Sequence, residues 1–441
     1  MKTMKTLGLG LALSCLALNA AHAQDDSLRT AIRADYQANL ESLYQHFHAH
    51  PELAFEERET AARLAQELRA LGYDVTEGVG RTGLVAVLGN GEGPTLMLRA
   101  DMDALPIREQ TGLDYASTVM RASGGGELPV MHACAHDTHM TALVGTARQM
   151  VERRGEWSGT LVLVGQPAEE VGLGSDAMLK DGLYERFPVP DAAVSFHTWG
   201  YLKSGEIRYV PEYAMANVDT VDLYIKGIGA HGASPQLGKD PVVLGSQIVL
   251  ALQTLVSREL SPFDVGVVTV GAFNAGTKHN IISDEAHLQI TVRSYTDAVR
   301  EKLLSGIERI ARGQAEAAGL PEDLMPVMEA KEVYTPALYN DPELTQRSVA
   351  VLRERFGARV GEADPVTGGE DFARYGRTTE DVPVFMFWVG ATPQDTIDAA
   401  LAEGRTPPAN HSPFFYPDAE VAIPVAVEGM TAIALDFLKK D

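Results

Sequence analysis

Apolar and polar positions along the chain change rhythm twice. In the first half, short continuous apolar runs at residues 83–88, 95–100, 160–165 and 192–196 alternate with stretches of helical period. Runs that are apolar on both sides of the pleat predict the buried strands of an α/β domain, a mainly parallel sheet with helices on both faces. Residues 27–71 read mostly as helix, interrupted near Pro51, and a further helix is expected over 137–154 with Ala142, Leu143, Ala147 and Met150 on one face. From about Val218 the pattern becomes strict alternation, as in "VDTVDLYIKG", which suits a sheet buried on one side. A helix over 241–258, the strand-like "DVGVVTVGAFNAG" and "EAHLQITVRSY", and a helix over 297–317 complete a β-α-β-β-α order. That order predicts a compact inserted α+β (ferredoxin-like) domain. The buried rhythm then resumes, with residues 383–389 as a further strand. The expected organisation is a main domain over 24–215 and 329–441, interrupted by a smaller one over 216–328.

The first 23 residues follow a different logic. Lys2 and Lys5 precede an apolar run over 7–18, and Ala21-His22-Ala23 follows. A basic start, a short apolar run and an A-x-A site predict a secretory signal peptide cleaved after Ala23, and hence a periplasmic or secreted protein. The run is too short for a permanent anchor, so no membrane attachment is expected after cleavage. The signal carries two lysines and no acid, so cleavage takes the basic count from 37 to 35 against 60 acids and the formal charge from −23 to −25. Such acidity excludes nucleic acid as a ready partner, because phosphate is repelled. Cleavage also removes Cys15, one of two cysteines, and leaves Cys134 alone. A single thiol in an oxidising compartment has no disulfide partner, and it is a hazard unless buried or bound to metal.

Cys134 lies in "MHACAHDTHMT" with His132, His136 and His139, at or just before a helix N-terminus, where the dipole favours thiolate. Other polar residues collect just past the strand candidates: Asp101 and Asp103 in "LMLRADMDALP", Glu169 and Glu170 in "LVLVGQPAEE", His197 in "AAVSFHTW". Open α/β sheets build their sites beyond the carboxyl ends of the strands. Singly, each has an ordinary reading as solvated acid or satisfied histidine. His46, His48 and His50 in "HFHAHPE" have a tempting spacing, but they fall in a helix-to-loop segment away from any strand end and read as structural. Neither HExxH nor a paired C-x-x-C occurs, which excludes the common single-zinc protease and zinc-ribbon patterns.

In order, "HAHPELAFEE", "RADMDALP", "MHACAHDTHMT", "GQPAEE", "FHTW", "GAHGASP", "HNIISD", "TVRSY", "GGEDFARYG" and "NHSPFF" resemble the M20 metallopeptidase family. The similarity runs from about residue 40 to the C-terminus. It is greatest to the amidohydrolase branch, which includes N-acyl amino acid, hippurate and auxin-conjugate hydrolases. The resemblance implies two divalent metal ions (zinc, manganese, nickel or cobalt) on Cys134, His136, Glu170, His197 and His411, with Cys134 bridging. It implies Glu169 as general base, Asp103 as the residue that orients a ligand, and His231 as the donor to a tetrahedral oxyanion. Asn280 and Arg293 match residues that hold a substrate α-carboxylate. The inserted domain resembles the family's lid and dimerisation domain, which implies a homodimer.

The activity so implied is hydrolysis of N-acyl or N-aroyl L-amino acids by a metal-activated water. A dipeptidase or carboxypeptidase with the same site is the rival, and a catalytically dead metal binder is a third reading that has no use for Glu169. Two departures stand out. Ala135 and Thr138 replace family glycines, the first being harmless only if its backbone avoids positive φ. Gln236 stands where a histidine is frequent.

Overall fold

The computed structural model describes residues 27–123 and 126–440. The expected signal peptide, Cys15 included, lies outside the described residues. The chain forms two compact units. The first runs to Pro211 and resumes over Asn340–Ala363 and Tyr375–Asp441; the second comprises Glu212–Tyr339 and Asp364–Arg374.

In chain order the first unit opens with helical turns over 27–40, followed by α1 (Glu41–Ala49), α2 (Arg58–Ala70), β1 (Asp74–Val79), β2 (Gly83–Gly89) and β3 (Thr95–Asp101). Then come α3 (His136–Glu152), β4 (Thr160–Gln166), α4 (Gly174–Lys180), β5 (Ala192–Lys203) and β6 (Ile207–Tyr209). The second unit carries β7 (Asn217–Lys226), β8 (Ala230–His231), α5 (Pro241–Thr254), β9 (Gly266–Ala275), β10 (Ile281–Ile282), β11 (Glu285–Ser294), α6 (Asp297–Ala317) and β12 (Val327–Ala330). The return adds α7 (Pro342–Phe356), β13 (Val360–Glu362), β14 (Val384–Thr392) and α8 (Ala419–Phe437).

The first unit is built on one eight-stranded sheet of order β1-β2-β4-β3-β5-β14-β6-β13. Its centre is parallel (β4 with β3, β3 with β5, β5 with β14) and antiparallel pairs flank it, as the apolar runs required. Leu and Phe side chains on one face (Leu84, Leu96, Leu98, Leu161, Leu163, Phe385, Phe387) pack under the helix layer of α1, α2, α3, α7 and α8. The helices approach closely where side chains are small. A Cβ on Gly145 of α3 would stand 2.6 Å from Val427 of α8 and 2.8 Å from Leu40. The opposite face is more polar. There buried Arg99 donates to Gln166 (2.9 Å) and Asp101 (2.6 Å), and Tyr375 donates to Gln166 (3.1 Å).

The second unit is a four-stranded antiparallel sheet, β9-β11-β7-β12, with α5 and α6 on one face. The alternation of β7 places Val221, Leu223 and Ile225 against Leu244, Ile248, Leu303 and Ile307. Asp240 caps α5 by accepting from the Val242 and Val243 N–H groups, and Thr296 caps α6 from Val299. The unit differs from the expected 216–328 in spanning Glu212–Tyr339 and in also holding Asp364–Arg374. That segment is stitched to its first strand residues: Ala216 N–H donates to Gly368 O (2.9 Å) and Val366 N–H to Ala214 O (3.0 Å). Backbone pairing without an apolar rhythm leaves no trace in the pattern. Among the described residues one helix, Pro241–Glu259, has the length and apolarity to cross a membrane; Leu244, Ile248 and Leu252 bury one side of it.

Candidate metal centre

The parallel strands β3, β4 and β5 deliver polar side chains at one edge of the sheet, and the loop after β14 returns there. Cys134 Sγ lies 3.5 Å from His197 Nε2 and 3.3 Å from His411 Nε2. His411 Nε2 is 3.4 Å from Glu170 Oε2, and His136 Nε2 is 3.9 Å from Glu170 Oε1 and 4.0 Å from Glu169 Oε2. The donors form two groups, Cys134–Glu170–His411 and His136–Glu169–Glu170, each within 4.8 Å and sharing Glu170. All five expected ligands and Glu169 therefore meet in one place.

The fit to metal can be tested on the hydrogen bonds. His136 Nδ1 bonds the Asp103 carbonyl (2.7 Å) and His197 Nδ1 the Thr198 carbonyl (2.8 Å). A carbonyl only accepts, so both Nδ1 atoms carry a proton and Nε2 is the nitrogen of each ring left to face a metal. His136 Nε2 and Glu170 Oε1 are buried without a hydrogen-bond partner, a costly state that a cation relieves. A third cluster, Asp101, His136, His139 and His197, is less suitable. His139 Nδ1 is tied to Asp101 (2.6 Å) and its Nε2 accepts the Thr198 N–H (2.9 Å), while the other Asp101 oxygen binds Arg99. His139 and Asp101 are thus braces.

Comparison with known proteins decides the family. The model of peptidase family M20/M25/M40 matches residues 97–404. Hippurate hydrolase of Campylobacter jejuni is 36% identical over 77% of this chain and 85% of its own length. Thermostable carboxypeptidase 1 of Saccharolobus solfataricus is 34% identical over 78% and 83%. A solved Bacillus subtilis protein described as a dinuclear metal binding peptidase from M20 family superposes with a TM-score of 0.73 at 30% identity, covering 93% of this chain and 99% of that one. This chain belongs to peptidase family M20. It is a metal-dependent hydrolase of amide bonds.

The electrostatics of this M20 centre call for positive charge. Burial and the carboxylates of Glu170, Glu169 and Asp101 push the Cys134 thiol up. Burial opposes charge on His136, yet Asp101, Asp103 and Glu170 outweigh it and carry that imidazole to about 10. Glu170 is raised to about 7, first by burial. Divalent cations invert this balance, since their charge favours thiolate and carboxylate.

Asp103 braces the backbone of the two glutamates. Its two carboxylate oxygens accept the N–H groups of Glu169 and Glu170, both at 3.0 Å. Asn410, beside His411, was missed by sequence reasoning. It donates to the carbonyls of Cys134 (3.2 Å) and Thr198 (3.0 Å) and accepts from Gly200 N–H (2.9 Å). Its only signal was the neighbouring ligand. Three non-glycine residues here have left-handed backbones: Ala135 (φ 67), Ala168 (φ 50) and His411 (φ 70). Ala135 therefore fails the condition set from sequence. It caps α3 at positive φ, a cost of about 1 kcal/mol that the surrounding bonds offset.

His48 has a structural role, as a buried and paired group. It is fully buried, with Nδ1 2.7 Å from Asp137 and Nε2 3.1 Å from Glu109. The helical spacing Leu40, Tyr44, Phe47 on the buried face was the available signal. His46 and His50 instead stack on each other, 4.6 Å between centroids. Burial alone would lower the His48 pKa, but Asp137 and Glu109 carry it up to about 9. With the folded pKa above the ordinary 6.5, this network adds stability that is complete below pH 6.5 and lost as pH rises through about 9. The gap corresponds to about 3 kcal/mol. The stability advantage of wild type over His48→Gln should shrink between pH 6.5 and 9.5 in denaturant titrations; a constant advantage would refute a charged His48.

His231, Asn280 and Arg293 belong to the second unit. His231 of β8 pairs with Ile281 of β10, and Gly232 N–H donates to the Asn280 carbonyl (2.9 Å). The two residues line one open cavity of about 730 Å³ with Thr277, Ser283 and Asp284. His231 Nδ1 accepts the Ala233 N–H (3.1 Å), which leaves Nε2 of the exposed ring as the donor nitrogen. Arg293 lies on β11, its Nε donating to Thr291 Oγ1 (3.1 Å).

Proposed function

We propose that the chain hydrolyses the amide bond of N-acyl or N-aroyl L-amino acids, with two divalent ions held by Cys134, His136, Glu170, His197 and His411. The observation that carries this reading is the pair of donor groups sharing Glu170, with Glu169 beside one of them. Divalent ions, when bound there, would supply a water of lowered pKa and would polarise the scissile carbonyl. Glu169 takes the water's proton onto its carboxylate and delivers it to the leaving nitrogen. Asp103 holds the backbone of both glutamates. The Nε2 proton of His231 suits an oxyanion, and the planar fork of Arg293, with Asn280, suits a substrate α-carboxylate. Mixed thiolate, imidazole and carboxylate donors suit zinc, manganese, nickel or cobalt.

Export through the signal at residues 1–23 and a homodimer through the second unit are part of this proposal. For the dimer, Val242, Val243 and Leu250 are exposed on α5, and β9 is an edge strand with an unpaired side. The similarity to a carboxypeptidase favours a second reading, a metallo-dipeptidase or carboxypeptidase acting on small peptides. Metal-reconstituted protein should hydrolyse hippurate and an N-acetyl amino acid with kcat/KM about tenfold or more above that for a free dipeptide. Preference for the dipeptide would transfer the conclusion to the second reading.

A further inference from the structure

The segment from His48 to Glu57 touches all three loops that deliver early site residues, without itself entering the site. His48 bonds Asp137, next to His136. The Glu52 carbonyl accepts the N–H of Ala104, next to Asp103, at 2.8 Å. Glu57 Oε1 accepts the N–H of Ala168, next to Glu169, at 2.8 Å, and its Oε2 accepts from Thr82 Oγ1 at 2.5 Å.

Glu57 is the least expected of these. It is fully buried, and among the described residues no cation pairs with it. A carboxylate in that position costs stability relative to an apolar side chain, so packing does not account for it. What it holds is unusual backbone. Ala168 is left-handed, and its carbonyl accepts from both Leu173 N–H (3.2 Å) and Gly174 N–H (3.1 Å). The turn is so tight that a Cβ on Gly174 would stand 1.5 Å from the Pro167 carbonyl oxygen. The N–H groups of Ala168, Glu169 and Glu170 all point at carboxylates: the first at Glu57, the next two at Asp103. Three successive amides aimed at acceptors form a concave, anion-seeking stretch of backbone. Its anions come from the protein, so the two glutamate side chains leave the opposite side in fixed directions.

We propose that Glu57 is a positioning residue, setting the direction of the Glu169 side chain through the Ala168 amide. This rests on Glu169 being the general base. Glu57→Ala removes the acceptor; Glu57→Gln keeps an oxygen for Ala168 and an amide for Thr82. With hippurate, Glu57→Ala should lower kcat about a hundredfold while KM moves less than about threefold and both metal ions remain bound, because a misplaced base leaves ground-state binding intact. Glu57→Gln should restore kcat to within about fivefold of wild type. Should Glu57→Ala fail to fold, Thr82→Val loosens the same carboxylate and should lower kcat about tenfold at unchanged KM. A kcat within about threefold of wild type in Glu57→Ala (or in Thr82→Val, if that is the variant measured) overturns the proposal. So does a Glu57→Gln as inactive as Glu57→Ala. Glu169→Gln in the same series separates the two ideas: if it still turns over, the assignment of the base fails, whatever Glu57 does.

Discussion

Glu169→Gln is expected to abolish hydrolysis while two divalent ions stay bound. The two adjacent glutamates are not equivalent. Glu170 belongs to both donor groups, 3.4 Å from His411 and 3.9 Å from His136, whereas Glu169 shares only the second of them, 4.0 Å from His136. The residue common to both groups is placed to hold metal, and its neighbour is placed to move a proton. Glutamine has the same shape and the same backbone demands, so the Asp103 clamp on the N–H groups should survive. Loss of a general base costs about 10²–10⁴ in rate, and here the same group also serves the leaving nitrogen, so the upper end is expected. Metal per chain, measured by atomic absorption, should equal that of wild type. Loss of an ion instead would mean that the two glutamates have exchanged roles.

Cys134→Ala should be at least as damaging, by a different route. The thiol sulfur lies between two imidazoles, 3.5 Å from one and 3.3 Å from the other. The neighbouring carboxylates already have tasks: Glu170 belongs to both donor groups, and Asp101 is bound to Arg99 and His139. Removing the sulfur should lower metal content by about one ion or more per chain and leave activity at background, because the ligands bind ions cooperatively with the fold. Cys134→Asp supplies a short anionic donor and should recover part of the metal. Full metal content in the alanine variant would show that the sulfur is not a bridging ligand.

These two tests address residues that sequence already put forward, and the reason is chemical. Strands β2 to β5 and β14 were legible because their apolar runs are buried on both faces, and α6 because its apolar positions repeat at helical period. Cys134, Glu169, Glu170, His197 and His411 were legible through motif order, since such residue types are scarce in apolar strands unless chemistry requires them. Among the bracing residues Asp103 was legible in the same way, but others were not. Glu57, His48 and Asn410 act through backbone amides, carbonyls or a neighbouring carboxylate, interactions that many residue types can make and that carry no spacing rule. The left-handed backbone of Ala135 was illegible for a related reason: alanine is an ordinary helix residue, and only its position before α3 gives it a cost.

The strand order has a consequence for how the molecule comes into being. β14, at residues 384–392, lies between β5 and β6, which are made some two hundred residues earlier in synthesis. Until it emerges, β5 has an open edge in the middle of what will be the core, and His411 and Asn410 do not yet exist. A growing chain can hold neither a finished sheet nor a complete set of donors, so folding and metal capture are both deferred to the end. For a polypeptide threaded through a membrane before it folds, which the proposed export requires, such lateness is an advantage. Under that proposed export the chain would stay linear while it must, and the compartment in which the last strand finds its place would supply its metal.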